Sequence, residues 1–85
     1  MFTKNFLLTE SDFSNTFAVI GKSDNEKEQK QKVILAIREE YSSESVKILN
    51  YDSNGTYQIT LSAELTDEDG EIEVRDFELT MVEIY

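Results

Sequence analysis

The sequence predicts one α+β domain: a three-stranded antiparallel meander with one main helix packed on one face. Three observations support this fold class. Apolar and polar residues alternate without a break over 56–65, Asn54-Gly55 stands directly before that run, and Val33 and Ile37 recur at helical spacing upstream. The 85 residues fit a single domain covering 1–85.

The alternating run is a strand with one buried and one solvated face. A second strand precedes it over 45–51, with Val46 and Ile48 inward together with either Tyr51 or Leu49. Asn-Gly between two such runs is a strong hairpin signal. The inward side of the alternating strand consists of Tyr57, Ile59, Leu61, Ala63 and Leu65, and the outward side of Thr56, Gln58, Thr60, Ser62 and Glu64.

The third strand is predicted over 71–84, after a turn at 66–70 in which Gly70 can adopt a positive φ. Ile72 and Val74 share one parity along this strand, and the apolar residues from Phe77 onward share the other. If both groups face the core, the phase must change at Arg75-Asp76, which predicts a β-bulge there.

The main helix is predicted over 24–41. Ser23 and Glu26 have the spacing of a capping box, in which each side chain bonds a backbone amide of the first turn. The polar run 26–32 is expected to be a solvated helix face. The residues expected to pack on the sheet are Val33, Ile34, Ile37 and Tyr41.

The N-terminal twenty residues have two interpretations. Thr9 to Asp12 resembles a second helix cap, with Leu8 packed against Phe13 and Phe17 in a short helix ending near Gly21. Alternatively, 16–20 is a strand that joins the sheet. We favour the helix.

The composition limits the chemistry. The chain has no cysteine and no histidine, so it lacks thiolates, the usual general base at neutral pH and the commonest zinc ligand. The first ten residues contain Lys4, Asn5 and Glu10, and no signal peptide or membrane span is predicted. We therefore expect a cytoplasmic protein with no cofactor.

Negative charge is concentrated in the second half. The net charge is −10, and residues 43–85 hold eleven acids against two bases. Such a field opposes direct binding to nucleic acid or an anionic membrane and attracts a basic partner.

The sequence disfavours two kinds of chemical site, a calcium site and a carboxylate catalytic site. Asn50, Asp52, Asn54 and Gly55 match positions 1, 3, 5 and 6 of a calcium-binding EF-hand loop, but the twelfth position is Leu61, where that loop needs a glutamate. A hairpin turn explains the same residues, so weak divalent-cation binding is kept only as an alternative. Carboxylate catalysis needs a cleft that a single thin core does not supply. We expect no enzymatic activity.

An acidic recognition surface is the favoured functional hypothesis. Carboxylates that recur every second residue along a strand lie roughly 6.5–7 Å apart, comparable to phosphates along a nucleic-acid strand. Some small phage-encoded inhibitors, including anti-CRISPR proteins, are acidic domains of similar size; the resemblance is one of composition and size alone. The competing explanation is that the charge only keeps the protein soluble. The residues expected to meet a basic protein, for example a nucleic-acid-binding protein, are Glu64, Asp67, Glu68, Asp69, Glu71, Glu73, Asp76 and Glu78.

The C-terminal strand suggests a different function, that of an assembly subunit. Val82, Ile84 and Tyr85 have no obvious cover in a three-stranded sheet, so an open strand edge there could form a homodimer. The alternative is that the N-terminal segment, through Phe2, Phe6 and Leu8, covers them.

Overall fold

The computed structural model describes residues 5–12, 14–54 and 58–82. Five strands form one sheet in the order β2-β1-β5-β4-β3, and every neighbouring pair is antiparallel. One helix packs across one face of this sheet. The elements are β1 (Asn5–Glu10), β2 (Asn15–Ile20), α1 (Glu26–Tyr41), β3 (Ser45–Asn54), β4 (Gln58–Thr66) and β5 (Ile72–Val82).

The three-stranded meander predicted above is therefore wrong. Within it, β3, β4 and β5 do follow one another, but β5 also pairs with β1, which brings the N-terminal hairpin into the sheet. The helix favoured for the N-terminal region is wrong as well, and its alternative, a strand over 16–20, is confirmed as part of β2. The reason is period-two burial in β1, where Phe6, Leu8 and Glu10 all point inward.

The hydrophobic core lies between α1 and the inner face of the sheet. Val33 and Ile37 of the helix are fully buried, as predicted. Three aromatic rings, Phe17 of β2, Tyr41 of α1 and Phe77 of β5, meet edge to face with centroids 5.8–5.9 Å apart. The buried apolar side chains are Phe6, Leu8, Ile20, Val33, Ile37, Ile59, Leu61, Ala63, Leu65, Phe77 and Leu79.

The helix begins two residues later than the predicted capping box requires. Asn25 is the N-cap, and its Oδ1 accepts a hydrogen bond of 2.8 Å from the Glu28 amide. Ser23 is instead buried, with its hydroxyl directed at the Gly21 carbonyl. The helix ends at Tyr41 and is capped by Ser42, which has a left-handed φ of 51° and donates its amide hydrogen to the Arg38 carbonyl.

The hairpin of β3 and β4 is confirmed, with Asn54 opposite Gln58. Asn54 of the Asn-Gly pair is the last residue of β3, whereas Gly55 and Tyr57 lie outside the described residues. A register shift between Ile48 and Asn50 leaves Leu49 exposed, and Tyr51 packs against the core together with Val46 and Ile48. The bulge therefore decides between the two inward candidates in favour of Tyr51.

The bulge predicted in the third strand does not exist. β5 pairs with β4 in one continuous register from Ile72 to Thr80. Ile72 and Val74 consequently share a face with Asp76, away from the helix, and are 63% and 57% exposed. Arg75 takes the inward position, where it can meet the buried carboxylate of Glu10.

The C-terminal strand is paired on both sides from Phe77 to Thr80. Val82 lies opposite Asn5 of β1, so the side of the strand that faces β1 is occupied there. This agrees with the N-terminal segment as the cover of Val82, and assembly through the C-terminal strand stays a prediction. Ile84 and Tyr85 lie outside the described residues.

Candidate binding surfaces

The sheet face opposite α1, here called the open face, carries most of the acids in the described strands. No helix covers it in the part of the chain that the structure describes. Along each strand alternate residues point to this face, and the pairing places Asp52 of β3, Glu64 of β4, and Asp76 and Glu78 of β5 on it. Lys47, directly opposite Glu64, is the single base among the described residues of this face.

A hydroxyl group holds one acid of the open face, Asp76, in place. The Ser62 hydroxyl donates a 2.7 Å hydrogen bond to Oδ1 of Asp76 on the neighbouring strand. Glu78 lies between Thr60 and Thr9 in the pairing, and Thr9 shares a 2.7 Å hydrogen bond with Thr16. The result is a flat polar band across the sheet, suited to contact with another polar surface rather than to enclosing a small molecule.

The predicted acids of the connecting turn are all exposed at one end of the sheet. Asp67 organises this turn, because its Oδ1 accepts hydrogen bonds of 2.9 Å from the amides of both Asp69 and Glu71. Gly70 adopts a φ of +83°, as expected. Glu68 and Asp69 form the tip and project into solvent.

Glu73 lies on the opposite side of β5 from the open face. Its carboxylate is 61% exposed and pairs with Arg75 at 2.7 Å. Arg75 also approaches Oε1 of Glu10 at 3.4 Å and lies 4.9 Å from the centroid of the Tyr41 ring. Because burial and the Glu10 carboxylate both act on Tyr41, the pKa of its phenol is raised above the ordinary value.

A cleft of about 330 Å³ opens beside this cluster, at the end of the sheet where α1 finishes. Its walls come from the end of the helix, the acidic turn and the first residues of β5. The residues lining it include Tyr41, Asp67, Glu71, Ile72, Glu73 and Arg75.

The eight predicted contact acids are thus divided among three places. Glu64, Asp76 and Glu78 reach the open face, four others form the turn, and Glu73 borders the cleft. Sequence reasoning missed two acids, Asp52 of the open face and Glu10 behind Arg75. The register shift after Ile48 turns Asn50 and Asp52 toward the open face, and the sequence gives no clear sign of that shift. Glu10 could have been found, because it continues the period-two pattern of Phe6 and Leu8.

The calcium-like motif lies along β3, where Asn50 and Asp52 are strand residues. No group of three or more acidic side chains among the described residues is arranged to hold a metal ion. A separate polar pair lies under the helix. The Tyr51 hydroxyl donates to Oε1 of the fully buried Gln29, and burial, followed by the charge of Glu26, raises the Tyr51 pKa.

Comparison with known proteins identifies no relative: no family model, curated protein or solved structure matches the chain. Across the residues placed by the structure, α1 is not long and apolar enough to cross a membrane, and it is the one helix there.

Proposed function

We propose that this chain is a non-enzymatic interaction module, an inhibitor or regulator that docks its acidic surface on a basic protein. The proposal depends on the open face, where four acids and one lysine lie on neighbouring strands with no helix over them in the described part of the chain. In this proposal the partners meet in the cytoplasm, whose reducing conditions suit a fold without disulfides.

The geometry of the open face favours a partner that binds nucleic acid. Asp76 and Glu78 are two residues apart on one strand, so their Cα atoms are roughly 6.5–7 Å apart, close to the spacing of successive phosphates. Ser62 fixes the side chain of Asp76. A carboxylate held in place before binding loses less side-chain entropy when it meets a lysine or arginine.

The dependence of association on salt would test the role of charge. Electrostatic steering is screened over about 8–10 Å at physiological ionic strength. We therefore expect the association rate with the partner to fall markedly as salt rises, while an association rate indifferent to salt would argue against the proposal.

The location of the charge can be tested with two triple variants. The open-face variant is Asp52→Asn/Glu64→Gln/Glu78→Gln, which leaves Asp76 and its hydrogen bond intact. The matched control is Glu39→Gln/Glu40→Gln/Glu44→Gln, on exposed residues at the end of α1 and the turn that follows it. Each variant loses three negative charges from the net charge of −10.

The partner would be captured from a host lysate with the native chain, identified, and then measured against both variants by surface plasmon resonance. We expect the open-face variant to slow association at least tenfold and the control to change it little. Equal effects would mean that binding follows net charge alone, and no effect of the open-face variant would refute docking through that face.

A further inference from the structure

The first residues of β5 form an edge that the rest of the sheet does not cover. β1 pairs with β5 only over Phe77–Val82, and the last bond on that side runs from the Ser11 amide to the Asp76 carbonyl at 3.0 Å. On their other side, Ile72–Arg75 pair with β4. Among the described residues, none takes the place of β1 beside Ile72–Arg75.

The backbone groups at this edge have a defined direction. Since the Asp76 carbonyl points toward β1, and backbone groups of alternate residues point the same way, the N–H and C=O of Ile72 and Val74 also point to the uncovered side. Those of Glu73 and Arg75 point toward β4. Two residues therefore present four backbone hydrogen-bonding groups to an incoming chain.

The side chains along this edge alternate in chemistry. Ile72 and Val74 stand exposed on the open face. On the other face the cleft begins, lined by Asp67, Glu71 and Glu73, with Arg75 already paired to Glu73 and Glu10. A strand lying beside β5 would direct alternate side chains to these two environments, one aliphatic and one acidic.

We propose that an extended segment of the partner, with aliphatic and basic residues in alternation, adds to the sheet along Ile72–Arg75. Its aliphatic side chains pack beside Ile72 and Val74, and its lysine or arginine side chains enter the acidic cleft. This inference rests on the proposed function and specifies the chemistry of the partner. Strand addition supplies affinity through the backbone and specificity through alternate side chains.

A second copy of this chain fits the same edge poorly. Antiparallel pairing that uses both uncovered residues of each edge sets Ile72 against Val74, and it places Glu73 of one copy directly opposite Glu73 of the other. Like charges directly opposite each other on neighbouring strands are destabilising. Charge complementarity therefore selects a basic segment as the occupant.

The test uses the full chain and a synthetic eight-residue peptide, (Lys-Val)₄ with blocked ends, measured by isothermal titration calorimetry. In antiparallel pairing, valines opposite Ile72 and Val74 direct their amides at β5, and lysine amides point away. N-methylation of the valine amides should lower affinity at least tenfold, and N-methylation of the lysine amides should change it less than threefold. If only methylation of the lysine amides lowers the affinity, the peptide adds to the same edge in the parallel direction. Equal affinity of the two methylated peptides would overturn the proposal.

A proline at Val74 tests the edge from the protein side. Val74→Pro removes an amide that faces the uncovered side and leaves the ladder with β4 intact, which is the setting in which strands tolerate proline. We expect the variant to unfold at the urea concentration of the native chain within experimental spread and to bind the peptide at least tenfold more weakly. Val74→Thr, which keeps the amide, is the matched control and should bind within threefold of the native chain.

Two results separate this inference from the proposed function. If Val74→Pro binds the peptide and the physiological partner as the native chain does, while the open-face variant still slows association, strand addition is wrong and acidic docking stands. If a dimer forms that Val74→Pro abolishes and the peptide does not bind, the edge belongs to a second copy and the inference is overturned.

Discussion

Replacing Arg75 should destabilise the fold far more than replacing Glu73, the acid closest to it. Glu10 is only 2% exposed, and Arg75 is the cation that approaches it. Removing one partner of a buried ion pair leaves an uncompensated charge, which costs about 3–5 kcal/mol. The Glu73 pair is shorter, at 2.7 Å, but that carboxylate is largely in water. Exposed pairs contribute about 0–1 kcal/mol.

We expect Arg75→Met to lower the free energy of unfolding by about 3 kcal/mol, near the lower limit of that range because Arg75 is itself partly exposed. The lost contact with the Tyr41 ring adds about 0.5–1 kcal/mol. For 85 residues the total stability is roughly 4–13 kcal/mol. A loss of about 3.5–4 kcal/mol would bring a chain at the lower end of that range close to unfolding at room temperature.

The assay is urea unfolding at pH 7 followed by far-ultraviolet circular dichroism. Glu73→Gln should lose less than about 1 kcal/mol. The double variant Glu10→Met/Arg75→Met should recover to within about 1 kcal/mol of the native chain, because an apolar pair of similar volume replaces both charges. Arg38→Met on the exposed helix surface is the control for losing an arginine. If Arg75→Met lowers the free energy of unfolding no more than Glu73→Gln does, Arg75 does not neutralise a buried charge on Glu10. The same conclusion follows if the double variant is no more stable than Arg75→Met.

Two further predictions concern the helix and its contact with β3. Asn25→Ala should lower the free energy of unfolding by about 1 kcal/mol through loss of the N-cap bond, whereas Ser23→Ala should cost less; equal losses in urea unfolding would contradict the assignment of Asn25. Since the raised pKa of Tyr51 means that the folded state holds this proton more tightly than the unfolded state, stability present below about pH 10 should be lost as pH rises further. Between pH 9 and pH 11 the urea midpoint of Tyr51→Phe should fall less than that of the native chain. If both midpoints fall equally, ionisation of Tyr51 does not contribute to the pH dependence of stability.

The main helix and the β3–β4 hairpin could be predicted from local patterns. The strand over β4 has strict alternation, and its burial follows that alternation residue by residue. The helix was found because Val33 and Ile37 lie one turn apart on its buried side. In both cases the periodicity alone identifies the element and its inward face.

The N-terminal hairpin was missed because the same residue types cap helices and form turns. Thr9, Ser11 and Asp12 can bond nearby amides in either structure, so their presence does not distinguish them. The missed signal was the period-two burial that starts at Phe6. Glu10 broke the apolar pattern in the sequence, and its partner Arg75 is 65 residues away, too distant for a local argument.

The bulge predicted in the third strand was also wrong because a local pattern was ambiguous. Ile72 and Val74 were assigned to the core because they are aliphatic, which forced a change of phase before Phe77. In the structure the strand keeps its phase and exposes both residues. Hydrophobicity predicts burial only on average, and an exposed aliphatic pair is informative about contacts with other molecules. The candidate acids stay a prediction, but the face on which each acid lies depended on this alternation, and Glu73 lies on the other side of β5 from Asp76 and Glu78.

The pairing of β1 with β5 has a consequence for synthesis. The hairpins β1–β2 and β3–β4 each form from neighbouring residues, but within the sheet they are joined only by a strand that the ribosome makes after both. Until that strand is inserted, α1 can contact both hairpins, through β2 and β3, but each hairpin has an unsatisfied border. A message cut short before residue 72 would therefore yield two hairpins with no strand to join them, each too small to be stable alone in water and prone to adhere to other chains.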